Sequence, residues 1–579
     1  MKASDLIALK LAKYSDYVFS GQGGFVVHIL DSLNKRKDIT LIPSQHEQGA
    51  SLAADSYTRT SGKLGIVVTT SGPGTINALQ GMACSYFDSI PVLYFSGAPV
   101  RKALKNNKKL RQLSFQEMEI KEIVKTFTKY LTRITDVKKI FYEIDKCIFL
   151  AKNGRPGPCL IDLPDDIQRM ETSIDEQEVF HPENTKLSLD PNNIEEVCKM
   201  IRVSKSPTFI LGNGIKIAKA EKNIDELLKM TGIPYAPTWA VFDMFRSDDP
   251  KNIGSFGVYE TRYGNFAIQN SDLLIVLGST LHTSLIGSDS KLFAPNAKKI
   301  LVDIDPAELN EENGIKADLK INCDLKDFIT ALNNKKIKWK SNQNWLDKIV
   351  DLKNKYPIVQ KEYFNQNKLV NPYVFFDTLS DFTSENDIII PDASANLVWA
   401  YQAYKISKQQ KIFTALNHSP MGYSVAAAIG AKLGSPKKNV IAIIGDGSMQ
   451  MNIQELETIK SLKLPIKIFL INNKGYGMVK QTIDTWLDSK YVGCDEQSGL
   501  SLPDFQKVSK SYGIDAVEIN NHNDLKEKLE YTLNYKGPML CDVKLDPNEK
   551  IAPKVKAGSP IHKMLPALTD DEIKSNMTE

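Results

Sequence analysis

Val440-Ile-Ala-Ile-Ile444 runs without a break into Gly445-Asp446-Gly447-Ser448, and a second apolar run, Ile466-Lys-Ile-Phe-Leu-Ile471, ends in Asn472-Asn473. Short runs of aliphatic and β-branched residues closed by turn formers mark strands buried on both faces of a parallel sheet. The residues between them, Met451 to Leu462, read as a helix, so the whole is strand–helix–strand. Gly-Asp-Gly at the end of such a strand places a carboxylate at the carboxyl edge of the sheet, where open α/β sheets take their ligands. Gly445 and Gly447 let backbone approach phosphate oxygens closely, and the amides that follow can donate to an anion. Asp446 and Asn473 close two different strands. Both are hard oxygen donors, which suit Mg²⁺, an ion that keeps few protein ligands and fills its shell from phosphate and water. No arginine follows Arg262, so an anion here is left to metal, amides, hydroxyls and lysines. Gly-Asp-Gly alone is a common turn; the Asn-Asn one unit later makes it a candidate site.

The same rhythm extends along the chain. Within this unit Asp387-Ile-Ile-Ile390 is a further strand; upstream lie Thr208-Phe-Ile-Leu211, Leu273-Leu-Ile-Val-Leu277 and Lys299-Ile-Leu-Val-Asp303, and before them Ile39-Thr-Leu-Ile42, Gly65-Ile-Val-Val-Thr69 and Pro91-Val-Leu-Tyr-Phe95. Two polar stretches, about 170–190 and 335–368, interrupt the pattern and read as connectors. The expected fold is therefore α/β, with three doubly wound parallel-sheet domains at 1–170, 190–335 and 369–545 and a tail at 546–579. Three units of similar size are compatible with divergent copies.

Composition narrows the classes. The 579 residues are enough for several cores, and 42% apolar with 25% charged residues is ordinary for a globular protein. A net charge of +4 gives no electrostatic reason for a nucleic acid or an anionic membrane as partner. Seven cysteines without a CxxC pair argue against a disulfide framework or a structural zinc. Asp5 and Asp16 interrupt the amino terminus, which does not read as a secretory signal, and no run of 18 apolar residues occurs. A cytoplasmic protein is expected.

The first unit carries a second, independent motif. After Ile39–Ile42 comes Ser44-Gln-His46-Glu47-Gln-Gly-Ala50, opening a helical run over Ala50–Thr60; then Thr69-Thr-Ser-Gly72-Pro73-Gly74-Thr-Ile-Asn77 forms another strand-to-helix turn rich in amides. Taken alone, Glu47 is a carboxylate at a helix start, favourable in any protein.

Together the motifs resemble those of the thiamine diphosphate-dependent enzymes, specifically the branch of the acetolactate synthase large subunits. Further matches are Gly23-Gly24, Ser114-Phe115-Gln116-Glu117, Gly154-Arg-Pro-Gly-Pro158, Val302-Asp-Ile-Asp-Pro306, Met421-Gly422 and Gly477-Met478-Val479, in family order over nearly the whole chain. The resemblance implies pyrimidine-binding, central and diphosphate-binding domains, in that order, and a homodimer or homotetramer with active sites at subunit interfaces. It implies Asp446, Asn473 and the Gly475 carbonyl as Mg²⁺ ligands. Glu47 is then the activating glutamate, Pro73 and Asn77 line the pyrimidine pocket, and Ser394, Asn396, Gly445, Gly447 and Ser448 contact the diphosphate. Met421 supports the bent cofactor, Met478 belongs to the cofactor-binding set, and Gln116, Phe115 and Gly24 face the acceptor. The cofactor is the electron sink; the protein supplies position, electrostatics and exclusion of water. His28, His282, His418 and His522 receive no catalytic role.

Three departures concern the substrate. Asp165 stands where biosynthetic acetolactate synthases have lysine, and Thr482 where they have the tryptophan that selects the acceptor. The flavin-contacting stretch of the middle unit reads Gly278-Ser-Thr-Leu-His-Thr-Ser-Leu-Ile-Gly287, which leaves FAD open. The tail, Pro553 to Pro566, resembles a closing lid. The expected activity is decarboxylation of a 2-oxo acid, with pyruvate foremost, and addition of the acyl unit to a second carbonyl, either a 2-oxo acid or a nucleotide-linked keto sugar. The alternatives are a simple decarboxylase releasing aldehyde, an oxidase if flavin is present and, from another class, a non-catalytic scaffold. A nicotinamide dehydrogenase is disfavoured because no GxGxxG joins a strand to a helix.

Overall fold

The computed structural model describes residues 1–104, 109–183, 187–340, 342–366 and 368–577. Three parallel sheets follow one another along the chain. The first holds β1 (Tyr17–Ser20), β2 (Thr40–Pro43), β3 (Gly65–Thr69), β4 (Val92–Ala98), β5 (Tyr130–Arg133) and β6 (Cys159–Pro164) in the order β2-β1-β3-β4-β6-β5. The second holds β7 (Pro207–Leu211), β8 (Tyr235–Pro237), β9 (Leu273–Leu277), β10 (Lys298–Asp303) and β11 (Leu319–Asn322) in the order β11-β10-β9-β7-β8. The third holds β12 (Asp387–Pro391), β13 (Lys411–Ile412), β14 (Asn439–Gly445), β15 (Lys467–Asn472), β16 (Asp515–Ile519) and β17 (Met539–Lys544) in the order β13-β12-β14-β15-β17-β16. Numbered within each unit, the first and third sheets have the same strand order.

These two units are joined by a pair of helices, Glu47–Ser61 and Tyr423–Gly434. The first is capped by the His46 ring, which accepts the Gln48 N–H at 3.1 Å, and ends at Gly62, whose φ of 71° terminates it. The second, Tyr-Ser-Val-Ala-Ala-Ala-Ile-Gly-Ala, is narrow enough for close contact: a Cβ on Gly430 would lie 1.8 Å from the Ala53 carbonyl. One apolar core runs through both units, from Phe19, Ala53 and Tyr57 to Ala426, Ile429 and Ile444. A buried ionic seam crosses it. Arg59 donates to Asp55 at 2.7 Å and to Asp88 at 2.8 Å, Tyr423 donates to Asp55 at 2.7 Å, and Asp88 accepts the Leu416 and Asn417 N–H groups. Such a seam adds little net stability but penalises any other register, because sliding would strand a buried charge.

The tail forms a small antiparallel pair, β18 (Lys554–Val555) and β19 (Met564–Leu565), and docks on the middle unit. Val258 accepts the Val555 N–H at 2.7 Å, Asn265 donates to the Ile561 carbonyl at 2.8 Å, and Arg262 to that of Pro566 at 2.7 Å. Two sequence expectations need correction. The helix expected over Met451–Leu462 is confined to Glu455–Ser461, because Asn452 turns aside to donate to the Gly422 carbonyl at 3.0 Å. The polar stretch 335–368 is no plain connector: it contains the helix Gln343–Lys355, which buries Trp345, Ile349 and Leu352 on one face. Among the described residues no helix is long and apolar enough to cross a membrane.

Candidate active site

β14 delivers Asp446 into a cleft of about 320 Å³ at the carboxyl edge of the third sheet. The carboxylate is 1% exposed and accepts the Gly447 N–H at 2.6 Å and the Gly475 N–H at 3.1 Å. Burial pushes its pKa up to about 7, while the amides of Gly447, Gly475 and Lys474 pull the other way. No ion pair reaches it among the described residues. Asn473, at the end of β15, also lines the cleft. Its surroundings are cut to fit: a Cβ on Gly477 would lie 2.5 Å from the Asn473 amide, and one on Gly447 would lie 2.1 Å from the Tyr476 ring. Gly475, which also faces the cleft, has a φ of 152°.

Two helices begin at this cleft, Ala395–Ala403 and Gly477–Trp486, and a helix start is a place where an anion is favoured. Ser394, just before the first, holds a φ of 73°, a conformation that serine adopts only where its surroundings enforce it. Asn396 and the buried Ser448 also line the cleft, and Met421 closes one side. Met421 is set by its neighbour: the buried carboxylate of Asp392, at the end of β12, accepts the Gly422 N–H at 3.0 Å and the Ser424 N–H at 2.8 Å. Met478 does not line the cleft; it packs, half-buried, on the apolar layer of the third unit.

The first unit builds a separate cluster. Glu47 opens its helix, and its Oε2 accepts a hydrogen bond from Asn77 at 3.0 Å. The carboxylate lies against Gly21 and Gly74, where a Cβ would come within 2.5 Å and 3.1 Å of Oε1. Pro73 starts the short helix Pro73–Asn77 and is exposed. Thr70 Oγ1 is buried beneath Gly23 with no hydrogen-bond partner among the described residues. The Gln116 carbonyl accepts from Ser71 at 2.9 Å, which ties the Phe115-Gln116 turn to this cluster, with Gln116 at a φ of 56°. Phe115 is 78% exposed, and open space lies around Gly24. Within one chain, the residues lining the Asp446 cleft include none from the first unit.

The histidines have structural tasks. His522 accepts the Asn371 N–H at 2.9 Å, His282 contacts Ser284 at 2.7 Å, His28 lies 3.6 Å from Asp165, and His418 stacks on Phe87. Sequence reading missed Asp392 and Glu455. The first had a visible signal, an acid closing an apolar strand as Asp446 does; the second had none, because its partner lies in another unit. A second, smaller cleft of about 240 Å³ opens beside β9 and β10, lined by Val276, Ser279, Leu281, Val302, Asp303 and Glu308.

The cleft thus joins the Asp446 carboxylate, with no ion pair among the described residues, to two helix starts at the carboxyl edge of a parallel sheet. Residues 1–123, 194–332 and 392–543 match, in turn, the N-terminal TPP binding, central and C-terminal TPP binding domains of thiamine pyrophosphate enzymes. The acetolactate synthase large subunit of Cyanidium caldarium is 32% identical over 95% of this chain and 94% of its own. The probable acetolactate synthase large subunit of Methanocaldococcus jannaschii is 33% identical over 96% and 94%, and acetolactate synthase 1, chloroplastic, of Nicotiana tabacum is 32% identical over 96% and 84%. The chain belongs to the thiamine diphosphate-dependent enzymes, in the branch of the acetolactate synthase large subunits.

Proposed function

We propose that this enzyme is a Mg²⁺-dependent carboligase that decarboxylates a 2-oxo acid, with pyruvate as donor, and adds the acyl unit to a second carbonyl. The observation that carries the reading is the buried, unpaired carboxylate of Asp446 facing Asn473 at the helix starts. Among the described residues no three His, Cys, Asp or Glu side chains gather as metal ligands. A metal here would therefore draw on Asp446, Asn473, the Gly475 carbonyl and phosphate oxygens, which suits Mg²⁺. Bound thiamine diphosphate supplies the electron sink for decarboxylation and acyl transfer. Ser394, Asn396, Ser448 and the first amides of the helix Ala395–Ala403 hold its diphosphate, and Met421 supports its rings. Glu47, oriented by Asn77, holds a proton at the pyrimidine nitrogen and so sets the basicity of the opposite amine. The unpartnered Thr70 hydroxyl offers this half-site a further polar contact. Gln116, Phe115 and Gly24 flank the acceptor, and Thr482, exposed on its helix, leaves room for one as large as a nucleotide-linked keto sugar.

In this reading residues 1–170 bind the pyrimidine, 190–335 form the central domain and 369–545 bind the diphosphate, with 546–579 as a tail. Each active site is completed by a second copy of the chain. The separation of the Glu47 cluster from the cleft lining supports this, as do apolar side chains left exposed beside both half-sites: Leu113 and Phe115 in the first unit, Trp486, Leu487 and Val492 in the third. Seven unpaired, buried cysteines suit a reducing compartment such as the cytoplasm. The smaller cleft bears on FAD. Its lining has the carboxylates of Asp303 and Glu308 and no cation, and Arg155 is already bound to Glu308 and Asp305. A carboxylate that closes a strand, as Asp303 does, is the group dinucleotide sites use on a ribose, so FAD stays open and a flavin absorbance band in the purified protein decides it.

Incubation with pyruvate and a panel of 2-oxo acid, aldehyde and keto-sugar acceptors, read by mass spectrometry, tests the proposal. Coupled product that requires both thiamine diphosphate and Mg²⁺ is expected. Free aldehyde alone would replace the carboligase with a decarboxylase, and no turnover at all would sink both.

A further inference from the structure

Glu455 is a fully buried carboxylate to which the reading above gives no task. It opens the helix Glu455–Ser461, in the connection between β14 and β15; Asp446 begins that connection and Asn473 follows β15. Its side chain reaches from the third unit to the first. Oε1 accepts the backbone N–H of His46 at 3.1 Å, and Oε2 accepts the Thr458 hydroxyl at 2.7 Å. Burial raises its pKa, and the donors from Thr458, His46 and Gln45 oppose that rise. The approach depends on Gly49, where a Cβ would lie 2.3 Å from Oε1. A carboxylate at this point also faces the amino-terminal end of the helix Glu47–Ser61, where negative charge is favoured.

The residue it grips directly precedes Glu47. Asn77 fixes the Glu47 side chain, and Glu455 fixes the backbone that launches it. We propose that Glu455 is a positioning residue for Glu47: its bond to the His46 N–H sets where the Glu47 carboxylate stands over Gly21 and Gly74. Because Glu455 lies in the connection between Asp446 and Asn473, it ties the activating glutamate of a chain to the metal-binding element of that same chain. With sites completed between two copies, those two groups serve different active sites, so Glu455 forms a direct link from one site to the other. The inference rests on the activating role proposed for Glu47.

The test uses full-length protein as wild type, Glu455→Ala, Glu455→Gln, Gly49→Ala and Glu47→Gln. The first readout needs no cofactor: amide hydrogen exchange of the segment around His46 in Glu455→Ala is expected to speed up by about tenfold, the loss of one charge-assisted bond. The helices at Ala395–Ala403 and Gly477–Trp486 should keep wild-type protection. The second is proton exchange at C2 of bound thiamine diphosphate, quenched in acid and read by NMR, which should slow by about tenfold or more with cofactor affinity unchanged. Glu455→Gln keeps an oxygen acceptor and should recover most of both effects. A folded Glu455→Ala with wild-type exchange at either position overturns the proposal. Should that variant not fold, Gly49→Ala, which pushes the carboxylate off His46, decides by the same two readouts. Wild-type C2 exchange in Glu47→Gln would instead overturn the role of Glu47, and this proposal with it.

Discussion

The first and third units share a strand order, yet they carry opposite chemistry at equivalent places. Their likeness is still audible in sequence: Gly157-Pro-Cys-Leu-Ile-Asp162 leads through β6 as Gly537-Pro-Met-Leu-Cys-Asp542 leads through β17. After the second strand of each comes a helix, and the two helices pack face to face; one is announced by Glu47, the other by Met421-Gly422. After the third strand the first unit has Thr69 to Ser71, with Thr75 bonded among Thr69, Thr70 and Ser96, while the third has the bare carboxylate of Asp446. One edge is rich in glycine and carries the Glu47 carboxylate, held by Asn77. The other is charged and rich in free amides, suited to a metal and its phosphates. In the proposed reading a single scaffold is divided between two halves of one cofactor; the middle unit, with five strands, has a different strand order.

The division of labour can be broken most directly at the two acids. Glu47→Gln keeps shape and removes charge; turnover is expected to fall by about 10²–10⁴-fold, the range for a group that manages a proton, while thiamine diphosphate affinity stays close to wild type. Asp446→Asn should do the reverse. Replacing a buried charge that a cation must meet costs about 3 kcal/mol, roughly a hundredfold in cofactor affinity by titration calorimetry in Mg²⁺. Equal loss of binding in both variants would show that the two edges do not divide the work.

Next in size is the contact between the paired helices. A Cβ on Gly430 would meet the Ala53 carbonyl at 1.8 Å, backbone that cannot rotate away. Gly430→Ala should therefore lose about 3 kcal/mol in urea unfolding, the upper range for overpacking. Gly24→Ala, in open space on the first unit, should stay within about 0.5 kcal/mol of wild type. Similar values for the two would mean that the helices are not in contact in solution.

Strands were the most legible part of the fold. Gly65–Thr69 and Leu273–Leu277 have the bounds read from sequence, because a strand buried on both faces must be apolar throughout and stops where a turn former lets it. Asp446 and Asn473 were legible for the same reason, as polar residues at the ends of apolar runs. Long-range contacts were not. Nothing near Glu455 shows that it will meet His46, and nothing near Asn452 shows that it will give up a helical turn to reach Gly422. The helix at Gln343–Lys355 was hidden by composition: it is rich in lysine and asparagine, and three buried apolar residues in thirteen carry the signal. The exposure of Phe115 and the open space at Gly24 were not legible either, since neither residue's sequence neighbours set them.

The smallest expected effect concerns the aspartates that the two units share. Asp162 is 2% exposed and accepts from Arg133 Nε at 2.5 Å; Asp542 is also buried, but it is held by Lys544 two residues along its own strand and by Asn472 at 3.0 Å. Burial pushes the Asp162 carboxyl up to about 6, and the Arg133 guanidinium pulls it back only in part. The folded value lies above the ordinary 3.8, so between these two pH values the native state holds a proton that the unfolded chain has released. The contribution of this carboxyl to stability should then fall as pH rises through that window and level off above it, by about 3 kcal/mol in all, of which about 2 kcal/mol falls between pH 4 and pH 6.5. Asp162→Asn has no proton to lose. Its stability relative to wild type should improve by the same amount between pH 4 and pH 6.5, followed by urea unfolding at constant ionic strength. A difference that instead moves against the variant as pH rises would mean that the pull of Arg133 outweighs burial, and that the first unit holds its shared aspartate as an ion pair in the way the third holds Asp542 with Lys544.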